Sequence, residues 1–310
     1  MLRRRSILGA GLAGASLSLA GSAAAAKPNS ASTGAQAGEP FQLKYAPHHN
    51  MFRNLGGDDY VTQLEFMAAE GFSAVEDNNM AGRPVEEQER LAKAMQRLGI
   101  EMGVFVCNFG TAFGKPSFAS GRQEFKENFE ADLLKAVEVA KRVNATWMTV
   151  VLGDQQLGLR QGFQDAHAIE MLRRGAEILE PHGLVMVMEP LNFRDHAGMY
   201  LERSDHAYML CKAVNSPSVK MLFDIYHQAA TEGNLIPNID LCWDEIAYFQ
   251  IGDNPGRREP TTGEVNYKNI FKHIHGRAWK GILGMEHGNS KGGAEGERAV
   301  IDAYREVDNF

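Results

Sequence analysis

From Phe41 onward the chain repeats one pattern, a short β-prone apolar run followed by a longer stretch whose apolar positions recur every three or four residues. The runs predict strands at residues 42–46, 74–76, 101–107, 147–152, 185–189, 220–224, 246–251 and 281–286. Between them, residues 124–142 place Phe125, Phe129, Leu133, Val137 and Ala140 on one helical face. Asp165 is expected to cap a helix carrying Ile169, Leu172, Ala176 and Leu179, and Ser204 to cap one that ends before Ser216-Pro217. Gly71, Gly99 and Gly183 each stand where a helix ends and the next apolar run begins. Strands alternating with helices imply a parallel sheet. Eight such units over residues 41–310, with no Gly-rich turn after the first strand, predict an α/β fold: a single-domain (β/α)8 TIM barrel.

Residues 1–26 follow a different grammar. Arg3, Arg4 and Arg5 precede an uncharged run from Ile7 that closes on Ala24-Ala25-Ala26, the form of a cleavable signal peptide. Only Ile7, Leu8, Leu12, Leu17 and Leu19 in that run are strongly apolar, which disfavours a stable membrane anchor. The arginines followed by Ser-Ile-Leu resemble a twin-arginine export signal, so a periplasmic destination is expected. Residues 27–40, rich in Ser, Ala, Gly and Pro, are expected to form a flexible linker.

Composition narrows the partners. At 44% hydrophobic and 23% charged the chain falls in the ordinary globular range. Its net charge is −7, more negative still without Arg3, Arg4 and Arg5, and no basic run follows them. Nucleic acid is held chiefly by Lys and Arg neutralising phosphates, so it is not an expected partner. Cys107, Cys211 and Cys242 are an odd number and widely spaced, which reads as small buried hydrophobes. A homo-oligomer is compatible with all of this.

In such a barrel the chemistry gathers at the carboxyl ends of the strands. The four late strands end in Met-Val-Met-Glu189, Met-Leu-Phe-Asp224, Tyr-Phe-Gln250 and Leu-Gly-Met-Glu286. One buried acid is tolerable beside a donor, but three at one mouth repel unless a cation lies among them. Glu189, Asp224, Gln250 and Glu286 offer only hard oxygen donors, a set suited to Mn2+ or Mg2+, with Zn2+ as second choice. Met188, Met221 and Met285 read as core filler, and His48, His49 and His287 as pocket-lining or locally bonded histidines.

The longer motifs carry a resemblance. Met-Glu189-Pro-Leu-Asn192, Asp224-Ile-Tyr-His227, the run from Gln250 through Arg257 and Glu259 to Tyr267, and Gly-Met-Glu286 resemble the xylose isomerase-like TIM-barrel sugar isomerases and epimerases, within them the hydroxypyruvate isomerase branch. The resemblance implies that Glu189, Asp224, Gln250 and Glu286 bind the metal, that Glu189 and Glu286 also move the proton, and that His227 and Arg257 face substrate oxygens. It implies isomerisation of a small hydroxy-carbonyl or sugar substrate through an enediolate, such as hydroxypyruvate to tartronate semialdehyde. Three alternatives stand beside it: a ketose or keto-sugar epimerase, a metal-dependent endonuclease, and a non-catalytic sugar- or metal-binding module. The endonuclease would be expected to bring more histidines and a positive face, which the sequence lacks.

Overall fold

The structure is a computed structural model that describes residues 38–310; the expected signal segment and residues 27–37 of the expected linker lie outside the described residues. Eight strands form: β1 (Lys44–Pro47), β2 (Ala74–Val75), β3 (Glu101–Met102), β4 (Trp147–Val150), β5 (Val185–Met188), β6 (Val219–Asp224), β7 (Ile246–Gln250) and β8 (Ile282–Met285). All their pairings are parallel. A six-stranded ladder runs β1-β8-β7-β6-β5-β4, and β2 pairs with β3. Single parallel bridges, His48 with Glu76 and Val106 with Thr149, join the two pieces and close the ring. Among the described residues, closure leaves no exposed strand edge.

Every strand but β6 is shorter than its sequence run suggests, and for two of them the local reason is visible. The run 101–107 keeps only two regular ladder residues. Its later amides still bond on both sides, Gly103 N–H to Val75 O (2.8 Å) and Cys107 N–H to Thr149 O (3.1 Å). Gly103 also has to pass the Tyr248 hydroxyl, with which a Cβ there would collide. The first strand starts late because the Gln42 and Leu43 amides donate to the Asp308 carboxylate (2.6 and 3.3 Å).

The helix Gln123–Val143 buries Phe125, Phe129, Leu133, Val137 and Ala140, as its periodicity predicts. Two predicted caps are corrected. The helix assigned to Asp165 begins earlier, as Gln161–Leu179, and Asp165 lies inside it, accepting from Gln161 Nε2 (2.9 Å) and the Tyr200 hydroxyl (2.7 Å). Ser204 is the first residue of the helix Ser204–Val214 rather than its cap. The carboxylate of Glu232, a stronger acceptor, takes the Ser204 amide (2.6 Å) and its hydroxyl (2.8 Å). Gly71, Gly99 and Gly183 do adopt positive φ (92°, 68° and 64°). Cys211 and Cys242 are buried and Cys107 half-buried, all free.

Strand alternation divides the core in two. Ala46, Ala74, Val104, Val187, Leu222, Tyr248 and Ile282 pack together inside the barrel. Their neighbours Tyr45, Val75, Met186, Met188, Met221, Phe223, Phe249, Leu283 and Met285 belong to the larger core that faces the helices. Among the described residues no helix is long and apolar enough to cross a membrane.

Candidate active site at the barrel mouth

Because side chains alternate along a strand, the positions two residues beyond the inner apolar layer also face the barrel interior. From Ala46, Ala74, Val187, Leu222, Tyr248 and Ile282 that step reaches His48, Glu76, Glu189, Asp224, Gln250 and Gly284, with Glu286 one step further. Register agrees: Asp224 pairs with Gln250, and Gln250 with Gly284. All four predicted metal-ligating residues therefore arrive at one mouth. Asp224, Gln250 and Glu189 are buried, whereas the Glu286 side chain keeps 21% of its exposure and faces the opening.

The quartet is not one tight group. Ligating atoms lie within 4.8 Å of one another in two sets among the described residues, Glu189–Asp224–His227 and His48–Glu76–Glu286. Arg257 joins the sets, its Nη2 donating to Asp224 Oδ2 (2.9 Å) and to Glu286 Oε2 (2.8 Å) while its Nε donates to the Glu286 carbonyl (3.0 Å). Glu259, two residues on, accepts from the Ser290 amide and hydroxyl. Arg257 holds its place with a left-handed backbone (φ 50°), a conformation costing about 1–2 kcal/mol for a side-chain-bearing residue, and its guanidinium lies 5.0 Å from the Tyr226 ring centroid.

Electrostatics follow from the crowding. Burial, then the charges of Glu286 and Asp224, raise the Glu189 pKa well above its ordinary value. Burial also raises that of Asp224, against the opposing pull of Arg257 and of backbone amides. Burial alone would lower the pKa of Arg257, but Glu286 and Asp224 outweigh it and hold the guanidinium charged.

His227 is fully buried, and burial followed by the nearby Arg257 charge lowers its pKa to about 3. Its Nδ1 accepts from the Asn192 backbone amide (3.1 Å), so the proton of the neutral ring resides on Nε2. That N–H makes no hydrogen bond within the protein and lies 3.6 Å from Glu189 Oε1 and 3.5 Å from Asp224 Oδ2. A protonated nitrogen cannot ligate a metal. His227 is a donor aimed into the mouth.

The predicted set omits Glu76, fully buried just past β2, although Ala-Val-Glu76 repeats the strand-end signature of Glu189. Of the other mouth candidates, His48 Nε2 lies 2.8 Å from Glu76, while His49 contacts Arg83 and His287 bonds to Tyr304 and Gly288. Met188, Met221 and Met285 are fully buried core. A hard divalent cation fits the donors present: acids whose pKa values burial raises, in Glu189 with the added repulsion of Glu286 and Asp224, and a buried Gln250 Oε1 that accepts no hydrogen bond.

Comparison with known proteins shows what this chain is similar to. The chain is 31% identical over 162 residues to the hydroxypyruvate isomerase of Escherichia coli (strain K12), a stretch covering 52% of this chain and 63% of that one. It is 29% identical over 231 residues to the 2-oxo-tetronate isomerase of Cupriavidus necator, covering 74% and 86%. Among solved structures, a protein from Brucella melitensis described as AP endonuclease, family 2, superposes with a TM-score of 0.71 at 24% identity, covering 84% and 99%, a likeness of fold alone. The family model for the xylose isomerase-like TIM barrel matches residues 64–307, and the chain belongs to that family.

Proposed function

We propose that this protein is a metal-dependent isomerase of the xylose isomerase-like family that interconverts a neighbouring carbonyl and hydroxyl through an enediolate, acting on hydroxypyruvate or a closely related small 2-oxo acid. The observation that carries this reading is the arrival of Glu189, Asp224, Gln250 and Glu286 at the mouth of one closed barrel, in a chain whose relatives bear the names of isomerases. Glu189, Asp224, Gln250 and Glu286 would hold the ion, Mn2+ or Mg2+ before Zn2+ because every donor is an oxygen. The ion supplies Lewis-acid polarisation of the carbonyl and offsets negative charge as the carbon-bound proton departs.

The rest of the chemistry belongs to the protein. Glu189 or Glu286 removes a proton from the hydroxyl-bearing carbon, the hydroxyl proton passes to the former carbonyl oxygen, and a proton returns to the former carbonyl carbon from the same or the other glutamate. An elevated pKa suits Glu189 to hold that proton briefly near neutral pH. The neutral His227 donates its Nε2–H to a substrate oxygen, and Arg257, permanently charged, meets the substrate's anionic end. The same set could serve an epimerase, but the relatives named for 2-oxo acids and the cationic Arg257 favour a small charged substrate.

The test is carbon–hydrogen exchange. Protein loaded with Mn2+ and incubated with hydroxypyruvate in deuterium oxide is expected to incorporate deuterium at carbon. No exchange with hydroxypyruvate or 2-oxo-tetronate, but exchange with a free ketose, would move the assignment to an epimerase. Binding without any exchange would make it a binding module. For location, the uncharged run behind Arg3, Arg4 and Arg5 supports export of the folded chain to the periplasm. Paired Arg4→Lys and Arg5→Lys substitutions are expected to retain the protein in the cytoplasm on cell fractionation, and unchanged export would overturn this placement.

A further inference from the structure

Both oxygens of the buried Glu76 carboxylate meet donors inside the barrel. The Tyr248 hydroxyl donates to its Oε2 (2.8 Å), Gln250 Nε2 donates to its Oε1 (2.7 Å), and His48 Nε2 lies 2.8 Å from Oε1. Room for this group is built into the barrel by two glycines. A Cβ at Gly284 would collide with Glu76 Oε2, and one at Gly103 with the Tyr248 hydroxyl.

Its effect falls on Gln250. A carboxamide can turn either its oxygen or its nitrogen toward a neighbour. In Gln250 the nitrogen faces Glu76, and the reversed orientation would lose that hydrogen bond and set the amide oxygen against a carboxylate oxygen. The orientation that remains leaves Gln250 Oε1 buried and without a hydrogen bond, while the next residues in register, Asp224 and Gly284, border the mouth.

We propose that Glu76, braced by Tyr248, is a positioning residue that locks the Gln250 carboxamide with its oxygen presented to the divalent cation. This rests on the reading of Gln250 as a metal ligand. Partners that orient a metal ligand are typically worth about 10–100-fold in affinity.

The full-length protein, stripped of metal and titrated with Mn2+ by calorimetry, tests this, with Co2+ absorption reporting the ligand set independently of turnover. Glu76→Gln is expected to weaken Mn2+ binding about 10–100-fold and to shift the Co2+ bands. The swap E76Q/Q250E, in which carboxylate and amide exchange places and the N–H to carboxylate contact returns, is expected to recover affinity to within about threefold of wild type. A merely structural role gives no such rescue. Tyr248→Phe, which keeps the ring and removes one donor, is expected to give a smaller loss, and it and the swap carry the test if E76Q does not fold. Wild-type affinity in E76Q while Gln250→Ala binds weakly would overturn the positioning role alone, as would a swap that fails to rescue. Wild-type affinity in Gln250→Ala would overturn the ligand reading beneath it.

Discussion

Glu189 and Glu297 are both buried glutamates, and their surroundings differ in every respect that matters. Glu297, on the helix Gly293–Val307, takes the Asn54 amide (2.8 Å) and side chain (2.6 Å) on one oxygen and the Leu55 amide (2.8 Å) on the other, so each oxygen has a donor. Glu189 faces Asp224 and Glu286, and burial with their charges pushes its pKa well up. The first acid is anchored by donors to the start of a short helix. The second is crowded by its own kind at an opening. A buried carboxylate wrapped in amides is a structural tie, and a buried carboxylate among carboxylates marks a place where a cation and a proton are handled.

The largest effect expected from this contrast is on turnover. Glu189→Gln is expected to lower kcat by at least about 10²–10⁴ while leaving the melting temperature near that of wild type, because the crowding is relieved and no donor is stranded. Glu286→Gln is expected to lower kcat equally but also to lower the melting temperature, because Glu286 accepts from Asn78 Nδ2 (2.8 Å) and Arg257 Nη2 (2.8 Å). Near-normal turnover in either variant would erase the distinction. Glu297→Ala is the converse experiment: it strands the Asn54 and Leu55 amides, and chemical denaturation should show a loss of about 1–3 kcal/mol with Mn2+ affinity unchanged. A third grade of acid, the exposed Asp59, caps the helix Tyr60–Ala69 through the Val61 and Thr62 amides, and Asp59→Ala should cost about 1 kcal/mol by the same measurement.

A smaller and graded effect is expected with pH. Folded-state pKa values of Glu189 and Asp224 lie above those of the unfolded chain, so the folded protein binds the extra protons. Their contribution to stability is present below the ordinary carboxylate pKa and is lost as pH rises through the elevated values. Metal-stripped protein should therefore lose stability from these two groups between mildly acidic and neutral pH, and Mn2+ should restore it with release of protons. Calorimetry in buffers of different ionisation enthalpy would read that release. Mn2+ binding without proton release would mean that these acids are already ionised.

Much of the site was legible because strand ends are legible. An apolar run that stops at an acid is a local pattern, and it marks Glu189, Asp224 and Glu286 without any knowledge of the fold. The same pattern marks Glu76 at the end of the run 74–76, but so short a run carries little periodicity to single it out. Asp165 and Ser204 failed as caps for a related reason. Each has a capping residue type at a reasonable position, yet acceptors and donors far along the chain, Glu232 for Ser204 and Tyr200 for Asp165, competed for those groups.

What the sequence determined by itself was the alternation of strands and helices, hence the parallel barrel, and the residue types that close its strands, since both depend on contacts between near neighbours. Tertiary structure alone decided the rest. It chose which nitrogen of His227 keeps its proton, because the Asn192 amide comes from another strand's end. It brought Arg257 between Asp224 and Glu286, and it cleared Gly284 for the carboxylate of Glu76. Those outcomes depend on side chains many residues apart meeting inside a closed ring, and no local period along the chain encodes such distances.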